Sequence, residues 1–131
     1  ICSGLVGSEM CIRDSFWKAM EGNDFFAAAE CLTPDCEVIW PLTKEVIRGR
    51  KNFAELNSAY PAEGEWTFTI ERILADGEQV VTDVVVSDGV RSDRAITFHT
   101  VRKGLICKQV EYWPEEYAAA QWRSKWVERA E

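Results

Sequence analysis

The chain has 131 residues, 47% of them hydrophobic and 28% charged, and its 22 acidic against 15 basic residues leave a formal net charge of −7. That length suits one globular domain with its own core, and the acid excess argues against nucleic acid or an anionic membrane as partner, since both reward a basic patch. No apolar run approaches the ~18 residues of a membrane span. The five Cys contain no C-x-x-C, and the single His cannot complete a common zinc site, so no metal and no cofactor is expected. Reduced thiols and a cytoplasmic setting are the simplest reading.

Residues 1–14, ICSGLVGSEMCIRD, show no helical or strand period and hold two of the five Cys. They resemble a translated adapter or assembly scar, so they are expected to be a non-native extension without a packing role, with a single domain over 15–131. Phe16, Trp17 and Met20 then fall at helical spacing, and Gly22-Asn23 stops that helix. Asp24 is placed to cap the next helix, FFAAAECL, which ends before Thr33-Pro34. Cys36 to Trp40 reads as a short strand closed by Pro41, and Glu45 to Arg48 as a brief extended piece. Gly49 leads into a third helix over Lys51 to Ser58, followed by a turn-rich link from Tyr60 to Gly64.

Trp66, Phe68 and Ile70 alternate with Thr67, Thr69 and Glu71, as in a half-buried strand. After Asp76-Gly77, a strand from Gln79 to Ser87 is expected to turn Val80, Thr82, Val84 and Val86 inward. Asp88-Gly89 turns the chain again, into RAITFHTVRKGLICKQVEYWP, residues 94–114. Here two runs rich in β-branched and aromatic residues flank Arg102-Lys103-Gly104, which predicts a hairpin with a three-residue loop. If Val101 faces Leu105, His99 pairs with Cys107, Thr97 with Gln109 and Ala95 with Glu111. Alternation then puts Ile96, Phe98, Thr100, Ile106, Val110 and Tyr112 on the opposite face. Beyond Pro114, acidic residues lead and basic residues trail through EEYAAAQWRSKWVERAE, which predicts a closing helix.

This order of elements resembles the nuclear transport factor 2-like superfamily, the SnoaL-like branch above all. The resemblance is carried by GNDFFAAAECL, Arg48-Gly49, Lys103-Gly104 and the closing VEYWP, and it spans Ser15 to about Trp126. It implies an α+β fold in which a cone-shaped, curved, mostly antiparallel sheet wraps around N-terminal helices and leaves an internal apolar cavity. Members include ketosteroid isomerases, limonene epoxide hydrolases, polyketide cyclases and non-catalytic binding or dimerising modules, so the fold alone leaves function open. In the ketosteroid isomerase pattern the tyrosine falls on Phe16, the aspartate base on Trp40 and the aspartic acid on Thr97. In the epoxide hydrolase pattern the arginine and first aspartate fall on Val84 and Val86, and the second aspartate on Glu111. The chain departs from both patterns and keeps one carboxylate.

Glu111 is therefore the candidate proton carrier, with His99 beside it in the catalytic set. A carboxylate among Trp and Val side chains loses hydration, which lifts its pKa toward the range useful for acid–base work. The alternative is a solvated Glu111 paired with Arg94 or Arg91. Trp17, Met20, Trp40, Tyr60, Trp66, Phe68, Val84, Val86, Thr97, Gln109 and Trp113 are the expected substrate-binding wall. A Cys107–His99 nucleophilic pair is a further possibility of the same register, though a lone strand His is more often structural. Two functions follow: acid–base catalysis on a small apolar oxygenated molecule, or a non-catalytic pocket or dimerisation module. A homodimer through the convex sheet face is expected in either case.

Overall fold

The computed structural model describes residues 7–130. An N-terminal helical stretch runs through α1 (Ser8–Cys11), a π-helical segment (Ile12–Trp17) and α2 (Lys18–Glu21). Then come α3 (Phe25–Ala29), β1 (Leu32–Trp40), β2 (Glu45–Arg48) and α4 (Gly49–Ala59). Four strands close the domain: β3 (Thr67–Asp76), β4 (Gln79–Ser87), β5 (Ser92–Arg102) and β6 (Leu105–Tyr112). The six strands form one curled, unclosed sheet in the order β2-β1-β6-β5-β4-β3. All neighbours are antiparallel except β1 and β6, which run parallel. This is the α+β architecture that the resemblance implied.

The core lies between the helices and the concave face of the sheet. Ile12, Phe16, Trp17 and Met20 form a stripe along one side of the N-terminal stretch, packed with Leu32, Val38, Phe53, Val80, Val84 and Ala95. The expected inner face of β4 is borne out: Val80, Thr82, Val84 and Val86 are all buried. Asp24 caps α3 as anticipated, its Oδ1 accepting from Ala27 N at 3.0 Å.

Four expectations need correction. First, within the expected extension the stretch from Ser8 does pack, while residues 1–6 lie outside the described residues. Ser8 onward is helical, Ile12 is fully buried and Cys11 nearly so, because the stripe of Phe16 and Met20 extends back four residues to Ile12. Cys11 is disulfide-bonded, whereas Cys31, Cys36 and Cys107 are free. Second, β1 starts at Leu32, not Cys36. Pro34 is tolerated because the β1–β6 ladder is irregular between Leu32 and Glu37, where no N–H is required of it. Third, among the described residues no α-helix follows Pro114. Only a single 3-10 turn forms, at Gln121–Arg123, and Tyr117, Trp122 and Trp126 are exposed. An isolated helix of this length is marginal in water unless an apolar face docks, and this one has only the Trp122/Trp126 pair to offer.

The fourth correction is the hairpin register. Lys103 and Gly104 alone form the loop, both at positive φ (54° and 79°), as a two-residue primed turn requires. Arg102 therefore pairs with Leu105 and Val101 with Ile106, and the ladder then bulges so that Thr100 pairs with Lys108. The net slip against the three-residue loop is two residues, so β5 and most of β6 keep their expected faces. Ile106 is the exception, lying before the bulge and buried with the core. The partners change: His99 now faces Gln109, and Thr97 faces Glu111. Cys107 falls at the bulge, its Sγ 3.5 Å from Thr100 O, and so makes no pair with His99.

Candidate functional site

A cavity of about 460 Å³ opens at the end of the sheet where β1 and β6 finish. Six aromatic rings line it: Phe25, Trp40, Tyr60, Trp66, Phe68 and Trp113. Each is brought there by a local device. Trp40 ends β1, and Trp113 follows β6 into Pro114. Trp66 is held by a two-way clamp with Asn23, whose Oδ1 accepts from Trp66 N at 3.0 Å while its Nδ2 donates to Trp66 O at 2.7 Å. Asn23 adopts φ 56° just after α2, a left-handed position that Asn tolerates well. The stop signal Gly22-Asn23 thus also builds the cavity wall, a role the sequence pattern did not reveal.

Glu111 is the carboxylate of this cavity. It is 8% exposed, and its Oε1 accepts from the indole N–H of Trp40 at 3.0 Å and of Trp113 at 3.1 Å. Oε2 accepts from the Thr97 hydroxyl at 2.6 Å. Burial pushes the carboxyl above its ordinary value, and the hydrogen bonds from Thr97, Trp40 and Trp113 offset only part of that rise. A carboxylate has about four acceptor positions, so three donors leave one open. Neither expected arginine pairs with Glu111. Arg91 binds Asp93, with Nε at 2.9 Å from Oδ2, and Arg94 bridges Glu71 and Asp83.

Of the residues expected to form the site, Trp40, Tyr60, Trp66, Phe68, Val86, Glu111 and Trp113 do line one cavity. Trp17, Met20 and Val84 do not; they belong to the packed core beneath it. Thr97, His99 and Gln109 are also fully buried and contribute no wall. Thr97 instead supports Glu111 from behind. His99 Nδ1 lies 2.6 Å from Gln109 Oε1, and Nε2 lies 2.8 Å from Thr82 Oγ1, so both ring nitrogens are engaged. With the Gln109 carbonyl as acceptor, Nδ1 carries the proton and Nε2 accepts from Thr82. Burial lowers the His99 pKa to about 4, against a smaller upward pull from the Gln109 hydrogen bond. The ring also meets Phe16 and Trp17 edge-on, at centroid separations of 5.9 and 6.2 Å. His99 is thus a neutral, enclosed core residue, one same-face cross-strand pair along the hairpin from Glu111.

Apart from Arg91, sequence reasoning missed the rim. Leu42, Thr43 and Glu45 enter from the β1–β2 turn, Asn57 from the end of α4, and Arg91 and Asp93 from the start of β5. Glu115 comes from the segment after Pro114. Their common signal is position, at the ends of elements that converge on one rim, and that convergence is visible only once the sheet has curled.

Residues 13–109 match the model of the SnoaL-like domain family. The chain belongs to that family. It is similar over 95% of its length to 90% of a candidate ketosteroid isomerase from Kribbella flavida DSM 17836, at 29% identity and a TM-score of 0.85. It is similar, again over 95% of its length, to 98% of an NTF-2 like protein of unknown function from Burkholderia xenovorans LB400, at 27% identity and a TM-score of 0.75. An LEH-like epoxide hydrolase from M. tuberculosis shares the fold at 22% identity and a TM-score of 0.66, with 82% of each chain covered. No curated protein matches the chain. Against the isomerase pattern, the two positions that would hold its base and acid, Trp40 and Thr97, carry no carboxyl and both donate to Glu111 instead.

Proposed function

We propose that this SnoaL-like domain is a cofactor-independent acid–base enzyme. It acts on a small, largely apolar oxygenated molecule held in the cavity, by isomerisation, dehydration, cyclisation or hydration. The observation that carries this reading is Glu111: one carboxyl, desolvated, oriented by three donors and set among aromatic rings at the wall of the cavity. Two fixed indoles and a threonine hydroxyl hold the carboxyl still while leaving an acceptor position for a substrate proton. Thr97 acts here as a positioning residue. His99 and Gln109 are left with a structural role, because their polar atoms are committed to each other and to Thr82.

A second reading, a non-catalytic pocket of the same fold, has its own support: all three polar partners of Glu111 donate to it, and among the described residues no second acid or base hydrogen-bonds to it. Turnover separates the two. On a panel of epoxides, β,γ-unsaturated ketones and β-hydroxy ketones, the enzyme reading expects Glu111→Gln to keep ligand affinity and to lower turnover by roughly two to four decades. Gln can still accept from both indoles through its carbonyl and donate to Thr97 Oγ1, so the fold is retained. Turnover that survives the substitution undiminished refutes Glu111 as the proton carrier.

A further inference from the structure

The wall of this cavity is lopsided in both charge and hydrogen-bonding character. Four of its residues are acidic, Glu45, Asp93, Glu111 and Glu115, against one base, Arg91. That base is already paired, with Nη2 2.8 Å and Nε 2.9 Å from Asp93 Oδ2. Glu45 and Glu115 form no ion pair among the described residues. Glu45 sits opposite Trp40 across the β1–β2 ladder, and Glu115 lies two residues beyond Trp113. The unpaired acids thus stand beside the two indoles that hold Glu111.

The donors along the wall are largely committed to the protein. The N–H groups of Trp40 and Trp113 go to Glu111, and Asn57 Nδ2 donates to Phe53 O at 2.8 Å. Apart from the Tyr60 hydroxyl and the Trp66 indole N–H, what the cavity offers is mainly carboxylate oxygens and aromatic π-surface. An anionic ligand finds like charge there, and a ligand rich in acceptors finds few free donors. A cation finds both complementary features, since Trp faces attract ammonium groups and carboxylates attract them at longer range. The chain's net charge of −7 adds a field of the same sign.

We propose that the cavity takes a small apolar molecule carrying a positively charged nitrogen, a substituted amine or quaternary ammonium. Its charge sits at the rim between Glu45 and Glu115, against Trp40 and Trp113, and its apolar body faces Phe25, Phe68 and Val86. This rests on the reading of the cavity as a ligand site and narrows the class of ligand; it does not depend on Glu111 moving a proton.

The test uses the full chain and two isosteric probes, phenyltrimethylammonium and tert-butylbenzene, which differ by N⁺ for C. Binding is followed through the indole N–H signals of Trp40 and Trp113 in ¹H–¹⁵N spectra. Phenyltrimethylammonium is expected to bind at least about tenfold more tightly than its neutral isostere. That advantage should shrink several-fold in a Glu45→Gln/Glu115→Gln double variant and with rising salt, since both carboxylates are exposed. The proposal is overturned if the neutral probe binds as well as the cation, if neither probe moves the cavity indoles, or if the preference is indifferent to both the double variant and salt. Binding of tert-butylbenzene alone removes the cation and leaves the apolar pocket standing. An ammonium preference in a protein whose turnover ignores Glu111→Gln would instead keep the ligand class and remove the acid–base chemistry.

Discussion

His99 and Glu111 share the concave face of one hairpin, yet burial drives their protonation in opposite senses. For His99 the neutral form is favoured, with a folded pKa near 4 against an ordinary 6.5. Between those values the unfolded chain holds a proton that the folded chain does not. Its contribution to stability is complete above pH 6.5 and is lost as pH falls through about 4. The gap corresponds to about 3 kcal/mol. Between pH 7 and pH 4 in urea denaturation, the wild type should lose about that much more stability than His99→Gln, a comparison in which the opposite contribution of Glu111 cancels. An unchanged pH dependence in that variant would show that His99 does not titrate with folding. Asp88 contributes a separate limb at lower pH. Its carboxyl accepts the backbone N–H groups of Arg91, Glu63 and Val90, which hold its pKa down to about 2. Its stabilisation is present above the ordinary carboxylate value and lost as pH falls through about 2.

Among elements, the N-terminal stretch changes most between pattern and structure. Its residues 8–14 looked aperiodic because only Cys11 and Ile12 face the core, and seven residues are too short a window for a 3.6-residue repeat to declare itself. Ile12→Ala should cost about 2–5 kcal/mol in chemical denaturation, as for other fully buried aliphatics. A cost below about 0.5 kcal/mol, the size usual for surface positions, would mean the stretch is not docked. The sheet was far more legible. Alternation along much of β3 and β5, and β-branched runs bounded by turns in β4, announced the strands and their inner faces, because one buried face fixes a period of two. The register of the β5–β6 hairpin was not legible, since it depends on whether Lys103 accepts a positive φ. That choice decides whether Ala95 or Thr97 supports Glu111. The last segment failed for the opposite reason: its Ala-rich composition favours helix locally, but no surface receives it.

At the scale of the whole molecule, the resemblance gave the cone and the family, and with the strand pattern it pointed to Glu111 while leaving open whether that carboxylate is buried or solvated. The rim acids and the Asn23 clamp could not be anticipated, because each joins residues far apart in sequence. The convex face of the sheet carries Phe98, 45% exposed, with Val81, Val85, Ile96, Val110 and Tyr112 partly exposed around it. Asp83, held by Arg72 and Arg94, breaks this patch near its middle. We propose that two copies of the chain meet on this face, which hides the aromatic pair Phe98–Tyr112. Sedimentation equilibrium should then give a dimer that Phe98→Lys dissociates, and a wild-type monomer at ~50 μM, a range where even modest interfaces associate, would contradict it. The cavity's chemistry has a more direct test. A carboxyl raised by burial contributes stability through its protonated form, complete below the unfolded value near 4.5 and lost as pH rises through the higher folded value. The deciding measurement is the titration of the Glu111 side-chain carboxyl by carbon-detected NMR, with Glu111→Gln assigning the signal. The account predicts a midpoint above 4.5, together with a stability of Glu111→Gln that gains on the wild type as pH increases. A midpoint at or below 4.5, with no such gain, would contradict it.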